Sequence, residues 1–184
     1  LWVIGGAGLG KTETQNKISA ELQLIFPNKI INVFSDADLT IRSAFNDGEH
    51  GILQILGTGG ITLAKLESGE TIRRNGYGYL IDESNGASAL GIMIANNLSL
   101  LNDKILSDEE FTSSYLNYFE AKTLSEVLQK LIGIRYNPTK MADLATNLIH
   151  LTHKQNPLAL EITHHFSKKI TQAVQAIIRN CFHA

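Results

Sequence analysis

A glycine-rich block between Gly51 and Gly91 holds residues whose types could do chemistry. A short apolar run ends in Gly57-Thr58-Gly59-Gly60, and a second apolar run follows at once. Glycines leave backbone N–H groups uncovered, so these groups can approach an anionic oxygen closely, and the threonine hydroxyl adds a donor. The turn therefore suits a nucleotide phosphate, although glycine-rich hairpin turns without a ligand are also common in β proteins.

A second phosphate-binding pattern lies near the start of the chain. Gly5 to Thr12 matches G-x-x-x-x-G-K-[ST], between an apolar run and a helical periodicity. In such a P-loop, Lys11 would hold the β- and γ-phosphates and Thr12 a Mg²⁺ ion. The predicted strand that ends near Asp36 is an acceptable match to Walker B, the acidic second motif of P-loop domains. A P-loop domain should continue with parallel strand–helix units, whereas the later sequence predicts a meander. A P-loop NTPase therefore remains an alternative.

Hydrophobic periodicity places both patterns in an α/β first half. The first strand, Leu1 to Ile4, is predicted to be buried. A helix with Ile18, Leu22, Ile25 and Phe26 on its apolar face follows and ends at Pro27-Asn28. The remaining elements are predicted as a strand at Ile30 to Phe34, a short helix at Ala37 to Phe45, and an antiparallel meander at Ile52 to Leu56, Ile61 to Leu66 and Thr71 to Arg73.

The second half of the chain reads as helical, with the change from strands to helices near Ser84 to Gly91. Apolar residues recur there at helical spacing on several faces. The faces comprise Leu90, Ile94, Leu98, Leu101 and Ile105; Leu124, Val127, Leu128 and Leu131; Leu144, Leu148 and Ile149; and Ile162, Phe166, Ile170, Val174 and Ile177.

Composition excludes several classes of function. The 184 residues carry a net charge of −2 and no Lys/Arg run longer than two, so we expect neither nucleic-acid nor membrane binding. The single cysteine, Cys181, excludes an internal disulfide, and with no signal-peptide pattern this fits the cytoplasm. Histidines occur on predicted helices, but adjacent ones face apart and chelate poorly, so no metal site is predicted. They are His150, His153, His164, His165 and His183.

Taken together, the segments SDADLTIRSAF, GILQILGTGG, GYGYLIDE and NGASALG resemble the N-acetylglucosamine kinase family. These are sugar kinases of the actin-like ATPase superfamily. The resemblance implies an α/β fold with a ribonuclease-H-like lobe of mixed sheet and antiparallel meander, followed by a helical part. It implies ATP-dependent phosphoryl transfer to a sugar hydroxyl, with ATP and Mg²⁺. N-acetylglucosamine is the favoured substrate, with other amino sugars or hexoses open, and a homodimer is an option because family members often dimerise.

The resemblance also implies the roles of the first two segments. Asp36 falls where the family keeps its catalytic aspartate, which accepts the proton of the attacking sugar hydroxyl. Its position at a strand-to-helix turn also suits a plain helix N-cap. Gly57, Thr58 and Gly59 match the family's phosphate-binding turn, and Gly60 lies where that turn meets the sugar. The family also has a Gly-Ala-Gly turn, which accounts for Gly6-Ala7-Gly8 without a P-loop.

The remaining sugar-binding roles fall on GYGYLIDE. Gly76, Tyr77 and Gly78 match a Gly-Trp-Gly segment that faces the sugar, although Tyr77 could equally be a half-buried strand tyrosine. The pair Asp82-Glu83 matches an Asp-Glu pair, but the glycine before it is absent and Ser84-Asn85 replaces Gly-Ser. Asp82 is the preferred substrate carboxylate, Glu83 takes that place if no gap is allowed, and a solvated turn is the alternative for both.

Two family motifs are not found in this sequence: the N-terminal Asp-Gly-Gly-Gly-Thr turn and the C-terminal Gly-Gly turn at the adenosine. The chain opens within a predicted strand, so we expect a fragment. Residues 1–50 would be the remnant of the N-terminal lobe, and residues 51–184 the C-terminal ribonuclease-H-like lobe with its helical insertion. Such a fragment should bind ATP poorly by itself. A non-catalytic sugar-binding relative is a further alternative.

Overall fold

The computed structural model describes residues 1–6, 8–84 and 86–182 of the chain. They form a mixed α/β protein, which confirms the predicted class. The strands are β1 (Trp2–Gly6), β2 (Ile31–Ser35), β3 (Gly51–Leu56), β4 (Gly60–Lys65) and β5 (Thr71–Arg74). The helices are α1 (Thr12–Ile25), α2 (Asp36–Ala44), α3 (Gly86–Asn102), α4 (Glu109–Tyr118), α5 (Leu124–Ile134), α6 (Pro138–His153) and α7 (Pro157–Cys181).

Contacts group the chain into two units. The first comprises Leu1–Leu53 with Leu63–Ile72, and the second Gln54–Thr62 with Arg73–Ala184. The lobes at 1–50 and 51–184 were predicted from the family resemblance. The contact-based units do not test them, so they stay a prediction. No helix in the described ranges is long and apolar enough to span a bilayer.

The first unit contains a strand–helix–strand motif. β1 and β2 run parallel in a two-stranded sheet, from the pair Trp2–Ile31 to the pair Gly6–Ser35. Helix α1 connects them and ends before Pro27, as predicted. The prediction that the first strand is buried is wrong, because Trp2 is 39% and Val3 53% exposed. A strand with a neighbour on one edge only is covered less than a strand inside a larger sheet.

Strands β3, β4 and β5 form a three-stranded sheet in that order, which confirms the predicted meander. Three residues join β3 to β4, and so short a connection between neighbouring strands requires them to be antiparallel. The second connection turns at Gly69, whose φ of 84° lies in the left-handed region that favours glycine. The Gly57-Thr58-Gly59 segment is thus a hairpin turn, as the sequence predicts.

The helical part of the second unit packs around α3, which contacts α5, α6 and α7. Its core contains residues of the predicted apolar faces, with Ile94, Leu98 and Val127 fully buried, and also Phe111 and Tyr115 of α4, a helix that was not predicted. Two predicted core residues are wrong. Ile105 is 67% exposed because α3 ends at Asn102, and Ile149 is 54% exposed because it lies one position round α6 from the buried Leu148.

Helices α3 and α6 approach each other closely at Gly91. A Cβ atom there would lie 2.1 Å from the backbone oxygen of Met141, a distance that no real side chain tolerates. Helix α3 begins at Gly86, within the segment where the sequence predicts the change from strands to helices. Helices α4 to α7 begin at side-chain caps, namely Asp108, Thr123, Asn137 and Asn156.

Candidate functional site

Asp36 is the first residue of α2, and Ser35 is the cap of that helix. The Ser35 hydroxyl accepts a hydrogen bond from the amide of Asp38, and the Asp38 carboxylate accepts one from the Ser35 amide, so the two form a capping box. The alternative that Asp36 is the N-cap is therefore wrong. The Asp36 side chain is exposed, and among the described residues its Oδ1 accepts from the amide of Ala37 alone, at 2.9 Å.

The Gly57-Thr58-Gly59 turn is fastened to the N-terminus of α3. The amide of Ala87 donates to the Gly57 oxygen at 2.8 Å, and both the amide and the hydroxyl of Ser88 donate to the Thr58 oxygen, at 3.0 and 2.6 Å. These bonds satisfy helix amides that have no partner inside the helix. The turn is therefore held by its carbonyl oxygens.

Gly86 makes this close approach feasible. Its φ is 70°, and a Cβ atom on it would lie 2.2 Å from the backbone oxygen of Gly59. Any side chain at this position would push the turn away from the helix. Sequence reasoning did not predict this contact; the only signal was the cluster of small residues, Gly86 to Ser88, whose partner is 30 positions away in the sequence.

Two amide groups of the turn remain available to a ligand. The Gly57 amide donates within the turn to the Gly59 oxygen at 2.8 Å. The amides of Thr58 and Gly59 and the Thr58 hydroxyl have no protein partner within the ranges 1–6, 8–84 and 86–182, and both residues are exposed. Neighbouring uncovered N–H groups with a hydroxyl beside them are suited to an anionic oxygen. Gly60, predicted to meet the sugar, begins β4 and is buried.

Asp82 holds a polar loop that follows β5. Its Oδ1 accepts from the amide and the hydroxyl of Ser84, at 3.0 and 2.6 Å, and its Oδ2 accepts from the amide of Gly76 at 2.6 Å. Burial raises the pKa of Asp82, but these hydrogen bonds and one from the Tyr77 amide outweigh it and hold the pKa below its usual value. Asp82 therefore holds this loop together through its carboxylate and is not simply a solvated residue in a turn.

Glu83 is more exposed than Asp82 and forms an ion pair. Its carboxylate lies 2.5 Å from Lys169 Nζ on α7. The hydrogen bond and the charge of Lys169 keep the pKa of Glu83 below its usual value, with a smaller contribution from His165. The pair lies partly in solvent, so its net stabilisation is small.

Tyr77 projects beyond the end of β5 and is 69% exposed, so the alternative of a half-buried strand tyrosine is wrong. Its ring lies under the guanidinium of Arg73, 5.9 Å from the ring centroid. Gly76 and Gly78 on either side have φ of 79° and 95°, which glycine adopts without strain. The two glycines allow the aromatic ring to stand out from the loop.

The structure brings Tyr77, Asp82 and Glu83 to one cleft in the second unit. The cleft has a volume of about 460 Å³, and Asn75, Lys169 and Gln172 also line it. A flat aromatic face beside carboxylate, amide and ammonium groups can bind a polyhydroxylated ring through stacking and hydrogen bonds. Asp36 belongs to the first unit and is not among the residues that line this cleft.

The Gly5–Thr12 segment differs from the turn at Gly57. Strand β1 runs through Gly5 and Gly6, and α1 begins at Thr12 with Lys11 as its cap. A Cβ atom on Gly5 would lie 2.0 Å from Leu39 Cδ1, so helix packing alone explains this glycine. Ala7, in the predicted Gly-Ala-Gly turn, lies outside the described residues.

Within the described ranges, no group of three His, Cys, Asp or Glu side chains could hold a metal ion. His164 and His165 are both exposed on α7. His183 and Asn85, which the sequence analysis names, lie outside the described residues.

Comparison with known proteins supports the fold. No family model matches the chain, and no curated protein does. The solved structures that match it include two described as putative N-acetylglucosamine kinases. The protein from Chromobacterium violaceum is 21% identical, with a TM-score of 0.69 over 95% of this chain and 60% of that one. The protein from Porphyromonas gingivalis is 17% identical, with a TM-score of 0.65 over 98% of this chain and 58% of that one.

These likenesses confirm the predicted resemblance at the level of the fold. The structure has the architecture of this group of proteins over nearly its whole length. The chain spans about three fifths of the length of each of the two structures, at 60% and 58%.

Proposed function

We propose that this chain is part of an ATP-dependent sugar kinase, with N-acetylglucosamine as the favoured acceptor and its 6-hydroxyl as the site of transfer. The observation that carries the proposal is the Gly57-Thr58-Gly59 turn, whose carbonyl oxygens are tied to α3 while the amides of Thr58 and Gly59 stay available. The likeness to the two solved structures supports the same reading. The fold would then be the ribonuclease-H-like fold of the actin-like ATPases, with lobes at 1–50 and 51–184.

The turn would bind a phosphate group of ATP. Two N–H donors and a hydroxyl fit a phosphate oxygen without requiring a charged side chain, and ATP supplies the phosphoryl group. The family's phosphate and Mg²⁺ turn is not found in this sequence, so no residue described here is assigned to the metal. The proposal for Mg²⁺ rests on the chemistry of ATP alone.

The cleft at Tyr77 would bind the sugar. The Tyr77 ring would stack on a pyranose face, and Gly76 and Gly78 would let the backbone approach the sugar. Gly60 would lie where the phosphate-binding turn meets the sugar. Asp82 or Glu83 would accept hydrogen bonds from sugar hydroxyls. Because both oxygens of Asp82 already accept from the loop, Glu83 has the greater free capacity.

Asp36 would act as the general base. The sugar hydroxyl oxygen attacks the γ-phosphorus, the bond from that phosphorus to the β–γ bridging oxygen breaks, and ADP leaves. The hydroxyl proton passes to the Asp36 carboxylate. An exposed carboxylate that is not used as a helix cap is available for this task.

The test is ADP release by the full-length gene product, with and without N-acetylglucosamine. We expect sugar-dependent release in the wild type and a loss of about 100-fold or more in Asp36→Asn, since general-base catalysis contributes roughly 10²- to 10⁴-fold. Asp47→Asn makes the same charge change in an exposed turn and should leave the rate unchanged. Sugar-dependent release that survives Asp36→Asn would remove the aspartate from this role.

The P-loop NTPase remains the second candidate because β1, α1 and β2 form a parallel strand–helix–strand unit beside the Gly5–Thr12 pattern. It predicts ADP release without sugar, lost in Lys11→Ala and retained in Asp36→Asn. A non-catalytic relative would bind the sugar without turnover. A cytoplasmic location, and a homodimer that binds neither nucleic acid nor membrane, complete the proposal.

A further inference from the structure

A chain of hydrogen bonds connects strand β4 to the loop that carries Tyr77. The Thr62 amide donates to Asn75 Oδ1 at 2.7 Å, and Asn75 Nδ2 donates to the Ser84 hydroxyl at 2.9 Å. We call these two bonds the Asn75 bridge. Thr62 and Ser84, at its ends, are buried, with exposed fractions of 0% and 6%. Buried polar groups of this kind are costly to leave unpaired, so the bridge is a fixed element.

Beyond Ser84, the chain of bonds reaches the segment proposed to bind sugar. The Ser84 hydroxyl donates to Asp82 Oδ1 at 2.6 Å, and Asp82 Oδ2 accepts from the Gly76 amide at 2.6 Å. Arg73 adds a bond from its Nη2 to the Gly76 oxygen, also at 2.6 Å. The position of Gly76, and therefore of Tyr77 next to it, is thus set by Asn75 through Ser84 and Asp82.

At its other end, the bridge reaches the turn proposed to bind phosphate. Thr62 lies two residues after Gly60, where β4 leaves the Gly57-Thr58-Gly59 turn. Its hydroxyl donates to Gln54 Oε1 on β3 at 2.6 Å, and Gln54 Nε2 donates to the Ile61 oxygen at 3.1 Å. Both strands that enter and leave the turn are therefore fixed beside the bridge.

The backbone of Asn75 is itself adapted to this position. Its φ is 53°, in the left-handed region that asparagine tolerates better than other non-glycine residues. Its side chain supplies an acceptor to one segment and a donor to the other, and a short amide carries both groups. The residue type is therefore explained by both its backbone and its two bonds.

We propose that Asn75 is a positioning residue that keeps the phosphate turn and the sugar segment in register. Phosphoryl transfer needs the acceptor hydroxyl and the γ-phosphorus at a defined separation, and a misplacement of about 1 Å can cost roughly 100-fold in rate. When the register is lost, water competes with the sugar hydroxyl for the phosphoryl group. The inference rests on the proposed function, because it assigns Asn75 the task of holding the two proposed ligand-binding segments together.

The test compares the wild-type full-length protein with Asn75→Gly, which keeps the left-handed backbone and removes both side-chain bonds. ADP and sugar phosphate are measured together, with N-acetylglucosamine as acceptor. We expect kcat for sugar phosphate to fall about 10- to 100-fold, with a smaller change in KM for ATP. The ratio of ADP to sugar phosphate should rise from about one to several, since hydrolysis escapes the defect.

Two further variants separate positioning from folding. Val127→Ala lowers stability in the α5 core, where Val127 is fully buried, and should leave the product ratio unchanged. Ser84→Ala cuts the same chain of bonds at the next link. The double variant Asn75→Gly/Ser84→Ala should lose little more kcat than either single variant, because both break one connection.

The possible results distinguish a failure of the positioning role from a failure of the proposed function. An active wild type with an unchanged kcat and product ratio in Asn75→Gly overturns the positioning role and leaves the kinase proposal standing. Fully additive losses in the double variant also overturn it. A wild type that releases no ADP in response to any amino sugar or hexose overturns the proposed function, and the positioning role with it.

Discussion

The two glycine-rich loops of this chain look alike in sequence and differ in what their glycines do. In the Gly5–Thr12 segment, Gly5 belongs to β1 and its missing side chain makes room for Leu39. In the Gly57-Thr58-Gly59 turn, the glycines are exposed and the amides of Thr58 and Gly59 stay unpaired within the described ranges. A glycine that serves packing and a glycine that serves a ligand are indistinguishable in a motif, and only the surrounding contacts separate them.

The largest effect should come from Gly86→Ala, which attacks the support of the Gly57 turn. The new Cβ would clash with the Gly59 backbone, and residue 86 would also keep a left-handed backbone that alanine adopts only with strain. Together these costs should lower the unfolding free energy by about 3 kcal/mol. ATP binding by the full-length protein should fall with it. Gly69→Ala is the matched control: its φ is 84° and nothing lies within 4 Å, so only the backbone strain of about 1 kcal/mol remains. Equal losses in the two variants, by urea denaturation, would contradict the clash.

Gly5→Ala should be milder and should leave the ligand site untouched. Its Cβ would meet the end of the Leu39 side chain, which can move, so we expect about 1 to 2 kcal/mol of destabilisation. The affinity for ATP, measured by titration calorimetry well below the melting temperature, should not change. A loss of ATP affinity larger than the unfolded fraction of the variant explains would indicate that the Gly5–Thr12 segment binds phosphate.

Asp82 should give the loop that carries Tyr77, near the Gly57 turn, a dependence on pH. Its pKa is lowered in the folded state, so the unfolded chain binds the proton more tightly and protonation favours unfolding. The stabilisation is present above the ordinary aspartate pKa of about 4 and is lost as the pH falls through the lower folded value. Thermal melts between about pH 2 and 6 should show this loss in the wild type, and Asp82→Asn should reduce it.

The smallest effect should come from Lys11→Ala. Lys11 is exposed and makes no side-chain bond as the cap of α1, so we expect changes in stability within about 0.5 kcal/mol. Nucleotide affinity should also be unchanged. A loss of about 100-fold in affinity would instead make Gly5–Thr12 a working P-loop and reverse the comparison of the two loops.

Local sequence signals predicted most of the fold. Periodicity found α1, α2, α3, α5, α6, α7 and the meander, because helix and strand periods are set by residues a few positions apart, whereas α4 was not predicted. Burial at Leu1–Ile4 was predicted wrongly because it depends on how many strands flank the first one. The sequence offered Asp36 as a helix cap, whereas the structure has the cap one position earlier, at Ser35. Sequence alone rarely defines a helix boundary to within one residue.

The candidate site was predicted in part. Turn glycines, Tyr77 and the acidic pair were recognised by their order, and the structure places Tyr77, Asp82 and Glu83 at one cleft. The contacts of Ser88 with Thr58 and of Asn75 with Thr62 were missed. Each joins residues far apart in the chain, and neither residue type announces its partner. Such contacts become visible only when the chain is folded.

The close crossing of α3 and α6 has a consequence for how variants of this protein would be read. A side chain at Gly91 would strike the Met141 backbone and displace α3, whose first turn binds the Gly57–Gly59 segment through Ala87 and Ser88, four and three residues earlier. In a screen for lost activity, a substitution at Gly91 would score like a change in the ligand site itself. A map of sensitive positions would therefore trace the path of α3 into the helical core and overstate the footprint of the ligand.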